Sequence, residues 1–348
     1  MKKKIGVIAA FLIVLIAGWL IDMVWDAGQF KSITPHFAGT CKQVKGIIGA
    51  EDITIHPKTG IAYISAHDRR TAAAGIEAKA GIYAYDTTQP SADVVLLTTG
   101  PTPDFAPHGI SLYIGDAGQD VLFVVNHAGG RQSIEVYFLV NDQLSHQKTL
   151  RDPMLISPND ILGVGPNQFY FTNDHKHTSG LMRTVEDYGR LSLSNVVYYN
   201  GSVFSEAAAG FAYANGINIS QDKRTVYVAA VTENSLHILD RDLETGKLTA
   251  QKTIELGTGP DNIEIDSKGD LWIGSHPKLL SFVGHTKDAN KLSPSQVLYL
   301  SPQNHYSPEE VYLNSGEELS GSSVAAVRGK RLLIGAVFDP RFLDCQMD

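Results

Sequence analysis

One pattern of polar and apolar positions returns six times along the chain. A pair of polar or small residues stands before a short, alternating apolar run. The pairs are Glu51–Asp52 before Ile53-Thr54-Ile55, His108–Gly109 before Ile110-Ser111-Leu112, and Asn159–Asp160 before Ile161-Leu162. Asn215–Gly216 precedes Ile217-Asn218-Ile219, Asp261–Asn262 precedes Ile263-Glu264-Ile265, and Gly321–Ser322 precedes Ser323-Val324-Ala325-Ala326. A turn follows each run, as at Pro57–Gly60, Asp116–Gln119 and Asp266–Gly269, and then a second β-rich run such as Ile61–Ser65, Thr225–Ala229 or Leu271–Gly274. The copies begin at residues 51, 108, 159, 215, 261 and 321. Repeats of this length built from paired short strands predict a radial array, and six of them predict an all-β, six-bladed β-propeller. If each pair opens an innermost strand, all the pairs meet at one end of the central channel.

The rest of the chain is arranged around this repeat. Met1–Lys4 is basic, and Ile5–Ile21 is an unbroken apolar run ended by Asp22. No small-x-small cleavage site follows, and Trp19, Asp22 and Trp25 suit a membrane interface. Residues 1–22 therefore read as a signal-anchor helix that leaves the domain exported but tethered. A cleaved signal peptide, giving a secreted periplasmic or extracellular protein, is the alternative. Residues 23–45 read as a connector and residues 46–348 as the propeller. Residues 66–80 read as a loop or short helix over one face. Met182–Tyr188 reads as a helix inserted as a lid, and 284–318 as a long polar connection.

Composition narrows the function. The 348 residues carry a formal net charge of -8, which argues against a nucleic-acid partner. The two cysteines, Cys41 and Cys345, lie at opposite ends of the domain, where in an exported chain a bridge would lock the ring. There is no Gly-x-Ser-x-Gly elbow, His-Glu-x-x-His, Walker loop or Cys-x-x-Cys.

What the repeat concentrates is oxygen. Glu51, Asn159, Asn215, Asp261 and Asn262 offer amide and carboxylate oxygens at one repeat position, with a formal charge that matches one calcium ion. Asp52 and Asp160 follow in register. Strand alternation points them to a second, deeper site, which the backbone carbonyl of Ile110 would complete.

At this point the chain resembles the paraoxonase/arylesterase family of calcium-dependent lactonases, over roughly Cys41 to Cys345. The matching stretches include Gly49-Ala50-Glu51-Asp52, Pro107-His108-Gly109-Ile110-Ser111, Val125-Asn126-His127, Pro158-Asn159-Asp160-Ile161, Thr172-Asn173-Asp174-His175, Ala214-Asn215-Gly216-Ile217, Asp261-Asn262-Ile263 and His276-Pro277. The resemblance implies a six-bladed propeller with two calcium ions. One is catalytic, on Glu51, Asn159, Asn215, Asp261 and Asn262; the other is structural, on Asp52, Asp160 and the Ile110 carbonyl. It implies a His dyad at His108 and His127, a bridge between Cys41 and Cys345, and pocket aromatics at Tyr213 and Phe338. One departure stands out: family members are apolar where this chain has His67-Asp68-Arg69-Arg70, so Arg69 and Arg70 predict a more cationic pocket rim.

The function expected on this basis is calcium-dependent hydrolysis of small lactones and aryl esters. Calcium would polarise the carbonyl, and His108, assisted by His127, would activate water. Asp261 or Glu51 is the rival base or nucleophile. A gluconolactonase-type sugar lactonase and a non-catalytic exported binding propeller are the alternative readings.

Overall fold

The computed structural model describes residues 2–89, 92–98, 105–115 and 118–348, without the side chains of residues 2, 3 and 5–9. The turn expected at 116–119 therefore lies partly outside the described residues. The strands form six antiparallel sheets, five of four strands and one of five. In each, the strand that begins a repeat lies at one edge: Ala50–Ile55, Pro107–Tyr113, Pro158–Gly165, Ala214–Ile219, Gly259–Ile265 and Ser322–Arg328. These six strands contact one another in order around a ring, the last against the first, so they line the centre of a six-bladed propeller. Apolar side chains pack between neighbouring blades. Val121 and Phe123, for instance, share a cluster with Ile161 and Phe169.

Each innermost strand carries an irregularity at the polar pair. Its register with the next strand slips between Ala50 and Asp52, Pro107 and Ile110, Pro158 and Ile161, Ala214 and Ile217, Pro260 and Ile263, and Ser322 and Val324. Plain alternation would send the two members of a pair to opposite faces. A bulge re-aims them, and both members of the Glu51–Asp52, Asn159–Asp160 and Asp261–Asn262 pairs are buried. The approach of neighbouring strands is close enough that a Cβ on Gly109 would lie 2.5 Å from the Asp160 Cα, and one on Gly216 would lie 2.4 Å from the Asp261 carbonyl oxygen. Glycine at the second pair position of blades 2 and 4 follows from that crowding.

Ring closure uses both ends of the domain. Gly39–Lys45, within the segment read as a connector, pairs with Arg341–Met347 and becomes the outer strand of blade 6. His36–Phe37 extends blade 5. Cys41 lies opposite Cys345 in that pairing, and the two are bridged. The bridge spans 304 residues of chain. In the chain-entropy view its removal destabilises the fold by up to about 5 kcal/mol. Under non-reducing conditions the Cys41→Ser/Cys345→Ser protein should therefore melt clearly below the native one. An unchanged melting temperature would show that strand pairing alone closes the ring.

Residues 284–318 differ from the expected polar connection. They include the two outer strands of blade 5, Ser295–Leu300 and Glu309–Asn314, whose alternation is too brief to stand out between polar flanks. Four α-helices occur among the described residues: α1 (Lys2–Asp26), α2 (Arg69–Ala73), α3 (Gly180–Tyr188) and α4 (Leu279–Lys287). Helix α2 is the short element expected in 66–80, capped by Asp68 Oδ1 accepting from the Thr71 amide at 3.1 Å. Helix α3 contains the expected Met182–Tyr188 segment. Among the described residues, no helix is long and apolar enough to cross a membrane. The end of α1 docks on the propeller: Arg190 bonds Asp22 and Asp26, and Asn234 Nδ2 donates to the Asp26 carbonyl.

Candidate active site

At one end of the ring lies a cavity of ≈ 430 Å³. Its floor is Glu51, His108, Asn159, Asn215 and Asp261, contributed by five of the expected repeat positions. One wall is apolar, from Leu279, Leu280, Phe282 and Val283 of α4 with Val337 and Phe338. Met23, Asp26 and Ala27 from the end of α1 complete the rim with Arg183, Asp187 and Tyr188 of α3.

The floor has an unusual hydrogen-bond inventory. Glu51 Oε2, Asn159 Oδ1, Asn215 Oδ1 and Asn262 Oδ1 are buried and have no hydrogen-bond partner. Buried acceptors normally find donors, because leaving one unpaired costs about 1–3 kcal/mol. Two of the amide nitrogens are already engaged. Asn159 Nδ2 donates to Asp174 Oδ2 at 3.3 Å, and Asn262 Nδ2 donates to Glu51 Oε1 at 2.9 Å. These bonds turn the amide oxygens inward. Asp261 accepts at Oδ2 from His276 Nε2 at 2.9 Å. Among the described residues, no three His, Cys, Asp or Glu side chains cluster as a metal site by themselves. The gathered donors are instead mixed amide and carboxylate oxygens, a set that suits a hard cation such as calcium.

Deeper in the channel, Asp52 Oδ2 accepts from the Ile110 amide at 2.7 Å and Asp160 Oδ2 from the Ile217 amide at 2.8 Å. Each acid thus reaches across to the next blade. Burial is the first cause that pushes both carboxyls well above the usual range; for Asp52 the charges of Asp160 and Glu51 add to it. Burial likewise pushes Glu51 up to about 7, against the pull of Arg69. Glu264, which sequence reasoning did not single out, is a further raised carboxyl beside Asp52. It lies two residues after Asn262 on the same strand, and that spacing was the available signal.

His108 and His127 are brought together, with His108 Nδ1 and His127 Nε2 2.8 Å apart. Gln132 Oε1 lies 2.5 Å from His127 Nδ1. An amide oxygen only accepts, so His127 carries its proton on Nδ1 and offers Nε2 as acceptor. His108 must then donate from Nδ1, which leaves its Nε2 lone pair toward the cavity, 3.6 Å from Glu51 Oε1. Burial, then the positive charge of Arg69, holds His108 well below the ordinary imidazole value, so it is neutral. Gln132 had no legible signal, since it reaches His127 through a glycine-containing turn that only the fold closes.

Tyr213 lines the cavity and its ring meets that of His175 with centroids 4.5 Å apart. Its φ is 65°, a left-handed conformation uncommon for an aromatic residue, immediately before the innermost strand of blade 4. His175 bridges Asp174 and Asp187. This network ties the floor at Asn159 to helix α3. Phe338 lies on the apolar wall as expected. Arg69 lines the cavity, but Arg70 does not. Its guanidinium is drawn away to the carbonyls of Phe338 and His285, and it stacks on the Phe338 ring at 4.7 Å.

The family model described as Arylesterase matches residues 30–347. The chain is 38% identical to serum paraoxonase/arylesterase 2 of Rattus norvegicus over 329 residues, covering 88% of each chain. It is 35% identical to serum paraoxonase/arylesterase 1 of Homo sapiens over 340 residues, covering 91% of each. Among solved structures it shares its fold with a regucalcin of Agrobacterium tumefaciens (TM-score 0.54, 14% identity, 91% of this chain and 98% of that one). It also shares it with a gluconolactonase of Xanthomonas campestris (TM-score 0.54, 15% identity, 92% and 99%). A propeller whose sequence aligns with the serum paraoxonases along nearly its whole length, and with the family model from before its first blade to its last strand, belongs to the arylesterase family.

Proposed function

We propose that the chain is a calcium-dependent hydrolase of small lactones and aryl esters, the second of which the names of its relatives indicate. One observation carries this reading: buried oxygens without hydrogen-bond partners lie beside a neutral imidazole whose free nitrogen faces them. Glu51, Asn159, Asn215, Asp261 and Asn262 would hold one calcium ion. Asp52, Asp160 and the Ile110 carbonyl would hold a second, structural one. When bound, the upper ion supplies a Lewis acid for the acyl carbonyl. His108 Nε2 takes the proton of the attacking water. His127 holds the Nδ1 proton of His108 in place, and Gln132 fixes the tautomer of the pair. The apolar wall of α4 receives the acyl chain or aryl leaving group and keeps water from that side.

The first test is turnover of a panel of aliphatic lactones and phenyl acetate by the calcium-loaded protein. No turnover of any member by a folded, loaded protein would remove the hydrolase reading. The same assay carries a pH prediction. A base must be unprotonated, and His108 is held below the usual value. The acid limb of kcat/KM should therefore lie below about 6.5, the ordinary imidazole pKa. A limb at or above that value would argue for a different base.

We also read α1 as the membrane anchor of an exported domain. Its described side chains from Phe11 to Ile16 are exposed and apolar, and a bridged cysteine pair suits an oxidising compartment. Fractionation of the full chain beside a chain lacking residues 2–21 tests this. Equal release of both into the soluble fraction would remove the anchor.

A further inference from the structure

The charged groups that line the cavity are accounted for, with one exception. Arg190 bonds Asp22 and Asp26, Arg183 bonds Asp187, and Asp261 is bonded to His276. Among the described residues, Arg69 has no such partner. Its Nη1 donates only to the Val337 carbonyl, at 3.4 Å, and its Nη2 is buried without any hydrogen bond. The carboxylate in ion-pair range is Glu51, whose Oε2 stands 3.8 Å from Nη2. That separation is too long for a hydrogen bond, and Glu51 Oε2 is itself one of the unpartnered oxygens.

The two groups face each other unbonded because both are pinned. Arg69 opens helix α2, behind the Asp68 cap, and its Nη1 is tied to the loop of blade 6. Its neighbour Arg70 is fixed to the same loop at Phe338. Glu51 is held by Asn262. A guanidinium donor desolvated in this way is costly until an acceptor arrives. Beyond the Val337 carbonyl, the apolar side chains of the wall supply none. What the position lacks is a planar, anionic acceptor, and a guanidinium fork matches a carboxylate in both charge and geometry.

We propose that Arg69 is a specificity-determining residue that receives a carboxylate carried by the substrate. The preferred substrates are then lactones or esters with a carboxylate close to the acyl carbonyl. The closeness follows from position, since Arg69 lines the same cavity and its Nη2 stands 3.8 Å from Glu51 Oε2 on the floor. The proposal rests on the hydrolase reading for its substrate class, but its anion site can be tested apart from turnover.

The experiment compares calcium-loaded full-length native, Arg69→Met and Arg69→Lys proteins. One substrate is a γ-butyrolactone with a carboxylate on its γ-carbon. The other is the same lactone with a neutral carboxamide there, and ring opening is followed for both. The native protein should favour the carboxylate. In Arg69→Met the carboxylate-to-carboxamide ratio of kcat/KM should fall about tenfold to a hundredfold, the range for a hydrogen-bonded charged pair. Most of that fall should appear in KM, and Arg69→Lys should restore part of it. Equal loss on both lactones would mean that Arg69 serves the fold or the developing oxyanion, and would overturn the proposal. So would a ratio that Arg69→Met leaves unchanged.

Calorimetric binding of the corresponding ring-ether carboxylate, which has no acyl carbonyl to attack, gives a second readout. It should bind the native protein at least tenfold more tightly than Arg69→Met. Equal binding would place the anion elsewhere and overturn the proposal. If the native protein hydrolyses neither lactone nor phenyl acetate, the hydrolase reading falls, and this binding difference alone decides the role of Arg69. If phenyl acetate is hydrolysed and the ratio does not move, only the Arg69 proposal falls.

Discussion

Chelation should abolish hydrolysis of every substrate the protein turns over, by roughly a thousandfold or more, and calcium alone should restore it. The structure gives two reasons to expect so large an effect. First, Glu51 Oε2 and the amide oxygens of Asn159, Asn215 and Asn262 have no hydrogen-bond partner among the described residues, so nothing else on the floor takes over their role. Second, chelation leaves several carboxyl groups close together in one channel, and stability should fall with activity. At a free calcium concentration a hundred times its Kd, occupancy of one site adds about 2.7 kcal/mol.

The effect of chelation should also depend on pH with a definite sign. Burial raises Glu51 in the folded state to about 7, against about 4.3 in an unfolded chain. Asp52 and Asp160 move in the same direction. These carboxyls therefore bind more protons in the folded state than in the unfolded one across that interval, and their contribution to stability falls as pH rises through it. The histidines His67 and His285, which burial holds below the ordinary value, slope the other way with or without calcium, so the expected effect lies in the difference: the melting temperature lost on chelation should grow from about pH 4 toward pH 7. A chelated protein that keeps its activity and loses no melting temperature at neutral pH would sink the metal assignment.

Replacing His108 with Gln should lower kcat by about a hundredfold to ten-thousandfold, the usual contribution of a positioned general base, with KM changed far less. Glutamine preserves much of the side-chain volume but cannot accept the water's proton. His127→Gln should cost less, on the order of tenfold, because His127 acts by holding the Nδ1 proton of His108. The acid limb of the pH profile should disappear in His108→Gln and move in His127→Gln. Full activity in His108→Gln would transfer the base role to Glu51 or Asp261, both of which lie on the same floor.

The repeat was legible because each blade needs an apolar inner strand, and burial on both sides writes that need into the sequence. The gathered oxygens were legible for a related reason: one repeat position carries Glu, Asn and Asp where ordinary strand residues would serve. The six bulges were not. A two-residue polar pair in a strand looks the same whether the backbone alternates or slips, so alternation alone assigned Asp52 and Asp160 to the opposite face from their neighbours. Gly39–Lys45 was hidden because it is an outer strand, largely exposed and polar. Arg69 and Arg70 read alike as adjacent cations, yet one enters the cavity and the other turns to Phe338 and His285. That choice depends on loops from blades 5 and 6, which are far away in sequence.

The closure of blade 6 sets an order in time. Its outer strand, Gly39–Lys45, is made before any of the six innermost strands, and its partner, Arg341–Met347, after all of them. Until Arg341–Met347 is made, the innermost strands of blades 1 and 6 can meet only through their own packing, without the outer strand pairing that locks blade 6. The floor of gathered oxygens draws on blades 1, 3, 4 and 5, so its final form depends on the shutting of the ring. Nascent chains stalled before Arg341 should hold every proposed ligand and yet no high-affinity ion. Completion of the site is then expected only once the two most distant strands of the domain meet.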